Sequence, residues 1–267
     1  MRLNEPSTDA SQWATRITDA IAHDQFVLHF QPIVRLADAT VAYHEVLLRM
    51  REPDGTTVPP GAFIPAAERF SLASSVDEWV VNAVIRTLAQ HDHLNVCVNL
   101  FPSSLGDELL LQRLERRLIP ARLRPGQLVF EITEKAVVHD IERARHWMER
   151  LSRTGCRFAL DDFGMGFSAF SHLRGLPVDD VKIDGSFVRS MASDPTSAAI
   201  VGAITNLSHA LGKQVIAEWV EDSATAQQLA ELGVDYGQGY LWSEPFEIEI
   251  QDEASVVIVH PSMLKLA

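Results

Sequence analysis

The chain has 267 residues and a formal net charge of −13, from 23 basic against 36 acidic side chains. A hydrophobic share of 46% and a charged share of 22% are globular values and exclude wholesale disorder. The acidic surplus argues against long nucleic acids and anionic membrane surfaces as partners, because both need a basic surface.

The start, MRLNEPSTDASQW, is polar and lacks the apolar stretch of a secretory signal. No run approaches the ~20 apolar residues that span a bilayer. The expectation is a cytoplasmic protein that does not insert into membrane. Cys97 and Cys156 lie in separate apolar runs, NVCVNL and CRFAL, without Cys-x-x-Cys spacing. That pattern predicts two buried, reduced thiols.

Residues 1–10 read as a flexible lead-in, and residues 11–267 as a single domain. From Ser11, the spacing of Trp13, Ile17 and Ile21 predicts a short amphipathic helix. Eight short β-branched or apolar runs then follow: 26–33, 41–49, 95–100, 127–133, 157–163, 179–184, 214–220 and the weaker 234–240. Helical patterns separate most of them, at 74–90, 140–154 and 196–212, the last ending on Gly212. The Pro-rich piece 51–65 reads as a structured loop.

Eight strands alternating with helices predict an α/β fold, a TIM-like (β/α)8 barrel. One connection breaks the rule. The six residues RLADAT between Val34 and Val41 are too few for a parallel crossover, which takes a dozen or more. The first two strands are therefore expected as an antiparallel hairpin, giving the barrel one reversed strand.

Catalytic groups of such barrels stand at the C-terminal strand ends. Here those ends carry Glu45, Asn99, Glu131 with Glu134 beyond it, Asp161-Asp162, Lys182, Glu218 with Glu221 after it, and Gln238. Taken singly, an acid at a strand end is often a helix N-cap. Five acids (Glu45, Glu131, Asp161, Asp162 and Glu218) converging on one mouth cannot all stay ionised without cations. Carboxylates plus an amide oxygen, with neither His nor Cys, favour Mg²⁺ or Mn²⁺. The adjacent aspartates suit two ions, an arrangement used to hydrolyse phosphodiesters.

The segments QPIV, EVLLR, VNL, FEITE, LDDFGMG, VKID, AEWVE and QGYLWSEP follow one another between residues 31 and 245. In that order they resemble the motifs of the EAL-domain cyclic-di-GMP-specific phosphodiesterases, over roughly residues 26–247. The resemblance implies an EAL-type barrel that opens cyclic di-GMP to linear 5′-pGpG. It implies Glu45, Asn99, Glu131, Asp161, Asp162 and Glu218 as ligands of two Mg²⁺ or Mn²⁺ ions. Lys182, Glu218 and Glu45 are the implied catalytic residues, with Lys182 orienting the attacking water. Gln31, Arg49, Gln238 and Pro245 are implied as substrate contacts, and a forked guanidinium suits a phosphate. Glu134 and Glu221 are implied supports of neighbouring loops. It also implies a homodimer and an upstream regulatory domain or signalling partner.

The signature triplet here is Glu-Val-Leu, with Val46 in place of Ala, which leaves Glu45 untouched. Met165, Trp219 and Ser243 replace the family's Thr, Gly and Gly. Of two positions for Trp219, narrowing the mouth or facing the surrounding helices, the second is expected. The alternative function is a catalytically weak receptor for cyclic di-GMP. A barrel hydrolase for another phosphodiester is the third reading.

Overall fold

Strands that are apolar on both faces must be covered from both sides, and here the sheet closes on itself. The computed structural model describes residues 10–138, 140–164 and 173–248. The chain runs through α1 (Ala10–Ala22), β1 (Phe26–Arg35), β2 (Val41–Arg51), β3 (Thr57–Val58), α2 (Pro60–Arg69), α3 (Ala73–Gln90) and β4 (Val96–Asn99). Then come α4 (Glu108–Ala121), β5 (Leu128–Thr133), α5 (Glu134–Val138), α6 (Ile141–Ser152), β6 (Arg157–Phe163) and β7 (Asp180–Ile183). It continues through α7 (Gly185–Ser190), α8 (Pro195–Ala210), β8 (Gln214–Ala217), α9 (Ser223–Glu231), β9 (Tyr236–Gln238) and β10 (Phe246–Glu247).

Eight of these strands close a ring in the order β1-β9-β8-β7-β6-β5-β4-β2 and back to β1, while β3 and β10 are short additions on β2 and β1. β1 is antiparallel to both of its ring neighbours, β2 and β9. The other ring pairings are parallel. The reversed strand is thus β1, as the short RLADAT link requires. Its turn is tied by the Arg35 N–H donating to the Thr40 carbonyl at 2.8 Å.

Two apolar layers hold the ring. The larger lies outside, where Phe130, Phe158, Leu160 and Val181 meet Leu111, Trp147 and Val201 of the helices. The smaller fills the interior with Ile33, Cys97, Val129, Ala159, Ile216 and Tyr236. Both thiols are buried and unpaired.

Many acids serve helix starts. Asp107, Asp140, Asp184, Asp194 and Asp222 each accept a backbone N–H at the first turn of α4, α6, α7, α8 and α9, satisfying donors that have no partner within the helix.

Three expected boundaries shift. The piece 51–65 is no single loop, since Pro60 opens α2 at a first-turn position where its missing N–H costs nothing. The seventh run ends as a strand at Ala217, so Glu218 lies just beyond β8. Helix α8 ends at Ala210, and Gly212 beyond it takes φ +71°, a left-handed value that glycine adopts without a Cβ clash. Most of the 1–10 lead-in and Met165 lie outside the described residues.

Candidate active site

Side chains alternate along a strand, so residues two apart share a face. Counting two residues on from the inner apolar layer reaches the barrel mouth: Cys97 to Asn99, Val129 to Glu131, Ala159 to Asp161, Ile216 to Glu218, Tyr236 to Gln238. On the reversed strand the count runs backwards, from Ile33 to Gln31. Glu45 completes the circle from β2, paired across the sheet with Gln31.

Lys182 stands at the centre and is 0% exposed. Its Nζ lies 2.8 Å from Glu218 Oε1, 2.9 Å from Glu131 Oε2, 3.4 Å from Glu45 Oε2 and 3.6 Å from Asp161 Oδ1. Burial alone pushes its pKa down, but the charges of Asp161, Glu131, Glu218 and Glu45 hold it well above the ordinary lysine value. It is an ammonium group encircled by acids.

One lysine cannot neutralise four carboxylates. Burial, aided by the nearby Glu45 and Asp161 charges and opposed by Lys182, raises the Glu131 pKa well above the carboxylate range. Burial likewise pushes Glu218 up to about 7, with Asp161 and Glu45 adding to it. Glu45 moves the other way. Burial pulls it up, but Lys182 and hydrogen bonds from Gln238 and Asn99 outweigh that and hold it below its usual value.

Those hydrogen bonds form a chain. Asn99 Nδ2 donates to Glu45 Oε1 at 2.6 Å, and Gln238 Nε2 donates to Glu45 Oε2 at 2.6 Å. Gln238 Nε2 also donates to Gln31 Oε1 at 3.1 Å, and Gln31 Nε2 donates to the Ser243 carbonyl at 3.1 Å.

A strand would point Asp161 and Asp162 to opposite faces. Here the register of β6 against β7 slips between Leu160 and Phe163, and Asp162 takes φ +55°. That kink turns both acids toward the mouth. One carboxylate oxygen from each of Asp161, Asp162 and Glu218 lies within 4.8 Å of the others. Beyond Glu218 the chain turns in a similar way, with Trp219 at φ +58°.

The donor set fits divalent cations. Glu131 Oε1 and Gln238 Oε1 are buried without a hydrogen-bond partner among the described residues, which is costly unless another group satisfies them. The donors are hard oxygens, the type that suits Mg²⁺ or Mn²⁺.

Beside the acids opens a cavity of about 310 Å³, lined by Gln31, Glu45, Arg49, Glu218, Trp219 and Tyr240 among others. Gln238, Glu221 and Pro245 line it as well. All four expected substrate contacts therefore meet at one cavity. Glu221 stands on that wall rather than under a loop. Glu134 opens α5, buried, with Oε2 unpartnered among the described residues; part of the loop after β6 expected to engage it lies outside them. Trp219 combines both positions: its ring faces Gly185 and Arg189 of α7, as expected, and the half-exposed residue also lines the cavity. Leu47 and Tyr240 line the cavity too and went unpredicted, although the two-residue step from Glu45 to Arg49 passes through Leu47.

The sequence profile of the EAL domain matches residues 14–245. A curated relative, cyclic di-GMP phosphodiesterase PdeB of Shewanella oneidensis, is 36% identical over 242 residues, 89% of this chain and 28% of the relative. The chain thus spans less than a third of that relative's length. Among solved structures, PaMucR phosphodiesterase in complex with c-di-GMP superposes with a TM-score of 0.81 at 32% identity, covering 88% of this chain and 98% of that one. The FimX EAL domain from Pseudomonas aeruginosa bound to c-di-GMP gives 0.83 at 33% identity, covering 90% and 97%. The profile match covers most of the chain, and the barrel and its mouth agree with it: this chain belongs to the EAL domain family.

Proposed function

We propose that the chain is a metal-dependent phosphodiesterase that hydrolyses cyclic di-GMP to linear 5′-pGpG. The observation that carries this is the imbalance at the mouth, four carboxylates on one buried lysine beside a cavity of about 310 Å³ lined by Gln31 and Arg49. The relatives' printed names and the c-di-GMP complexes support the choice of substrate.

Glu45, Asn99, Glu131, Asp161, Asp162 and Glu218 would hold two Mg²⁺ or Mn²⁺ ions. Bound there, such ions supply Lewis acidity to the phosphate and lower the pKa of water. The chain's own groups do the rest. Lys182 fixes Glu45, Glu131 and Glu218 by ion pairs and offers its ammonium to orient the attacking water in line with the scissile bond. Glu45 is itself fixed from both oxygens by Asn99 and Gln238, so the ligand geometry is set before substrate arrives. Arg49 projects into the same cavity and pairs with a phosphate through its planar fork. Gln31 and Pro245 face the base, and Gln238 links that end to the acids. Glu134 and Glu221 support the adjoining loops.

The test is incubation with cyclic di-GMP and Mn²⁺, followed by chromatography for pGpG. Product is expected from the native chain and from neither Glu45→Ala nor Lys182→Ala; undiminished hydrolysis by both variants overturns the reading. A second reading, a catalytically weak receptor, is favoured by the exposed Trp219 at the mouth. Tight binding in Ca²⁺ without product in Mg²⁺ selects it.

Residues 11–267 are taken as one barrel domain working in the cytoplasm, joined to a regulatory domain or signalling partner and paired as a homodimer. Sedimentation as a monomer at micromolar concentration counts against the dimer. No described helix is long and apolar enough to cross a membrane.

A further inference from the structure

Trp219 is out of place by every local rule. It follows Glu218 in a left-handed conformation, φ +58°, which bulky L-residues avoid because Cβ crowds the following carbonyl. It is one of a few large apolar side chains that stay exposed, and it sits in the wall of a cavity otherwise lined largely by polar and charged groups. It is not part of the described apolar core. Yet the ring is held in place. The Arg189 guanidinium of α7 lies over it, Cζ 4.4 Å from the ring centroid. At Gly185, a Cβ would collide with the Cδ1 edge of the indole, so the first residue of α7 leaves room for the ring. A strained, seated and exposed aromatic side chain, next to Arg49 and the acids, presents a flat apolar surface where a ligand enters.

We propose that the Trp219 indole is a stacking surface for a purine base of the nucleotide bound at the mouth, with Arg189 and Gly185 positioning the ring. This rests on the cyclic-dinucleotide reading above. Aromatic stacking is available to any base, since each presents a π-face, and removing one stacking side chain typically weakens binding several-fold or more. An adjacent guanidinium adds cation–π attraction that fixes the ring.

The experiment is equilibrium binding of cyclic di-GMP in Ca²⁺, read by intrinsic tryptophan fluorescence and independently by calorimetry. The native chain is expected to show quenching that is absent in Trp219→Phe, while Phe keeps most of the affinity. Trp219→Gly removes the ring and also relieves the left-handed strain, so misfolding does not confound it; its Kd should rise about tenfold. Gly185→Ala should weaken binding similarly in the native background and add nothing on Trp219→Gly, as expected if it acts only through the ring. Native-like affinity in Trp219→Gly, quenching that survives in Trp219→Phe, or an added loss from Gly185→Ala on Trp219→Gly overturns the stacking role and leaves the nucleotide reading standing. A native chain that binds no cyclic di-GMP overturns both.

Discussion

The two ends of the barrel interior handle buried charge in opposite ways. At the floor, Arg157 donates to Tyr43 Oη at 2.8 Å, pairs with Asp180 at 3.1 Å and reaches Asp179 at 3.4 Å. Asp179 is partly exposed, so solvent shares its charge. Tyr43 and Tyr236 then close the floor edge to face, 6.0 Å between centroids. At the mouth, one lysine with no exposure meets four carboxylates. Between them lies the apolar layer of Ile33, Cys97, Val129, Ala159, Ile216 and Tyr236. The floor sets one guanidinium against two aspartates, one of them partly exposed, and reads as structure. The mouth is short of positive charge, and that deficit marks it as a place for cations.

The largest test of this contrast is Lys182→Ala or Glu45→Ala, each expected to lower turnover more than a thousandfold, about 4 kcal/mol in the barrier. Chromatography of product reads the loss. At the other end, Arg157→Ala leaves Asp180 buried and unpaired, which should cost about 3–5 kcal/mol of stability. Its turnover should stay near native wherever the protein remains folded. Urea unfolding beside initial rates checks both halves; a floor variant that is stable but inactive would collapse the distinction.

Cation binding to the folded chain alone should raise stability by about 2.7 kcal/mol at a hundred times Kd. Scanning calorimetry with Mn²⁺ and then with chelator measures it, and the same shift in Glu131→Ala would place the ions elsewhere.

A pH effect concerns a buried acid outside the barrel wall. Asp77 of α3 has no basic partner among the described residues. It accepts the Phe101 N–H at 3.3 Å, and burial, opposed by Ser104 and that backbone bond, pushes its pKa up to about 7. Its folded pKa lies above the unfolded value of 3.8, so the folded state binds the extra proton between those two values. Stability should therefore fall as pH rises from about 4 to 7, by at most about 1.4 kcal/mol per pH unit. Asp77→Asn should flatten that slope in urea titrations at stepped pH; an unchanged slope would assign the protons to other groups.

Much of this contrast was legible in the order of residues. The alternation of β-branched runs with helical patterns gives the barrel, because each strand must bury two faces. The six-residue link before Val41 forces the hairpin, because a parallel crossover does not fit in that length. The strand ends name a set of oxygen donors, because the donor atoms follow from the residue types, and such donors suit hard divalent cations. Even the two-residue step from Cys97 to Asn99, or Val129 to Glu131, is a property of any extended strand.

What the tertiary structure alone decided is which acids act together. Asp184 and Asp222 also follow strand runs, yet they cap helices, and nothing in their local sequence separates them from Asp161 and Glu218. The Asp161-Asp162 pair shares one side through a kink at φ +55°, a choice made by register against β7. Lys182 gathers carboxylates from β2, β5, β6 and the turn after β8, up to 137 residues away, and only closure of the ring brings them within ion-pair reach. Trp219 turned to the cavity because Gly185 and Arg189, remote in sequence, leave room and cover for its ring. Local chemistry names the groups a strand can offer; the closed sheet fixes their distances, and distance sets whether charges repel, pair or bind an ion.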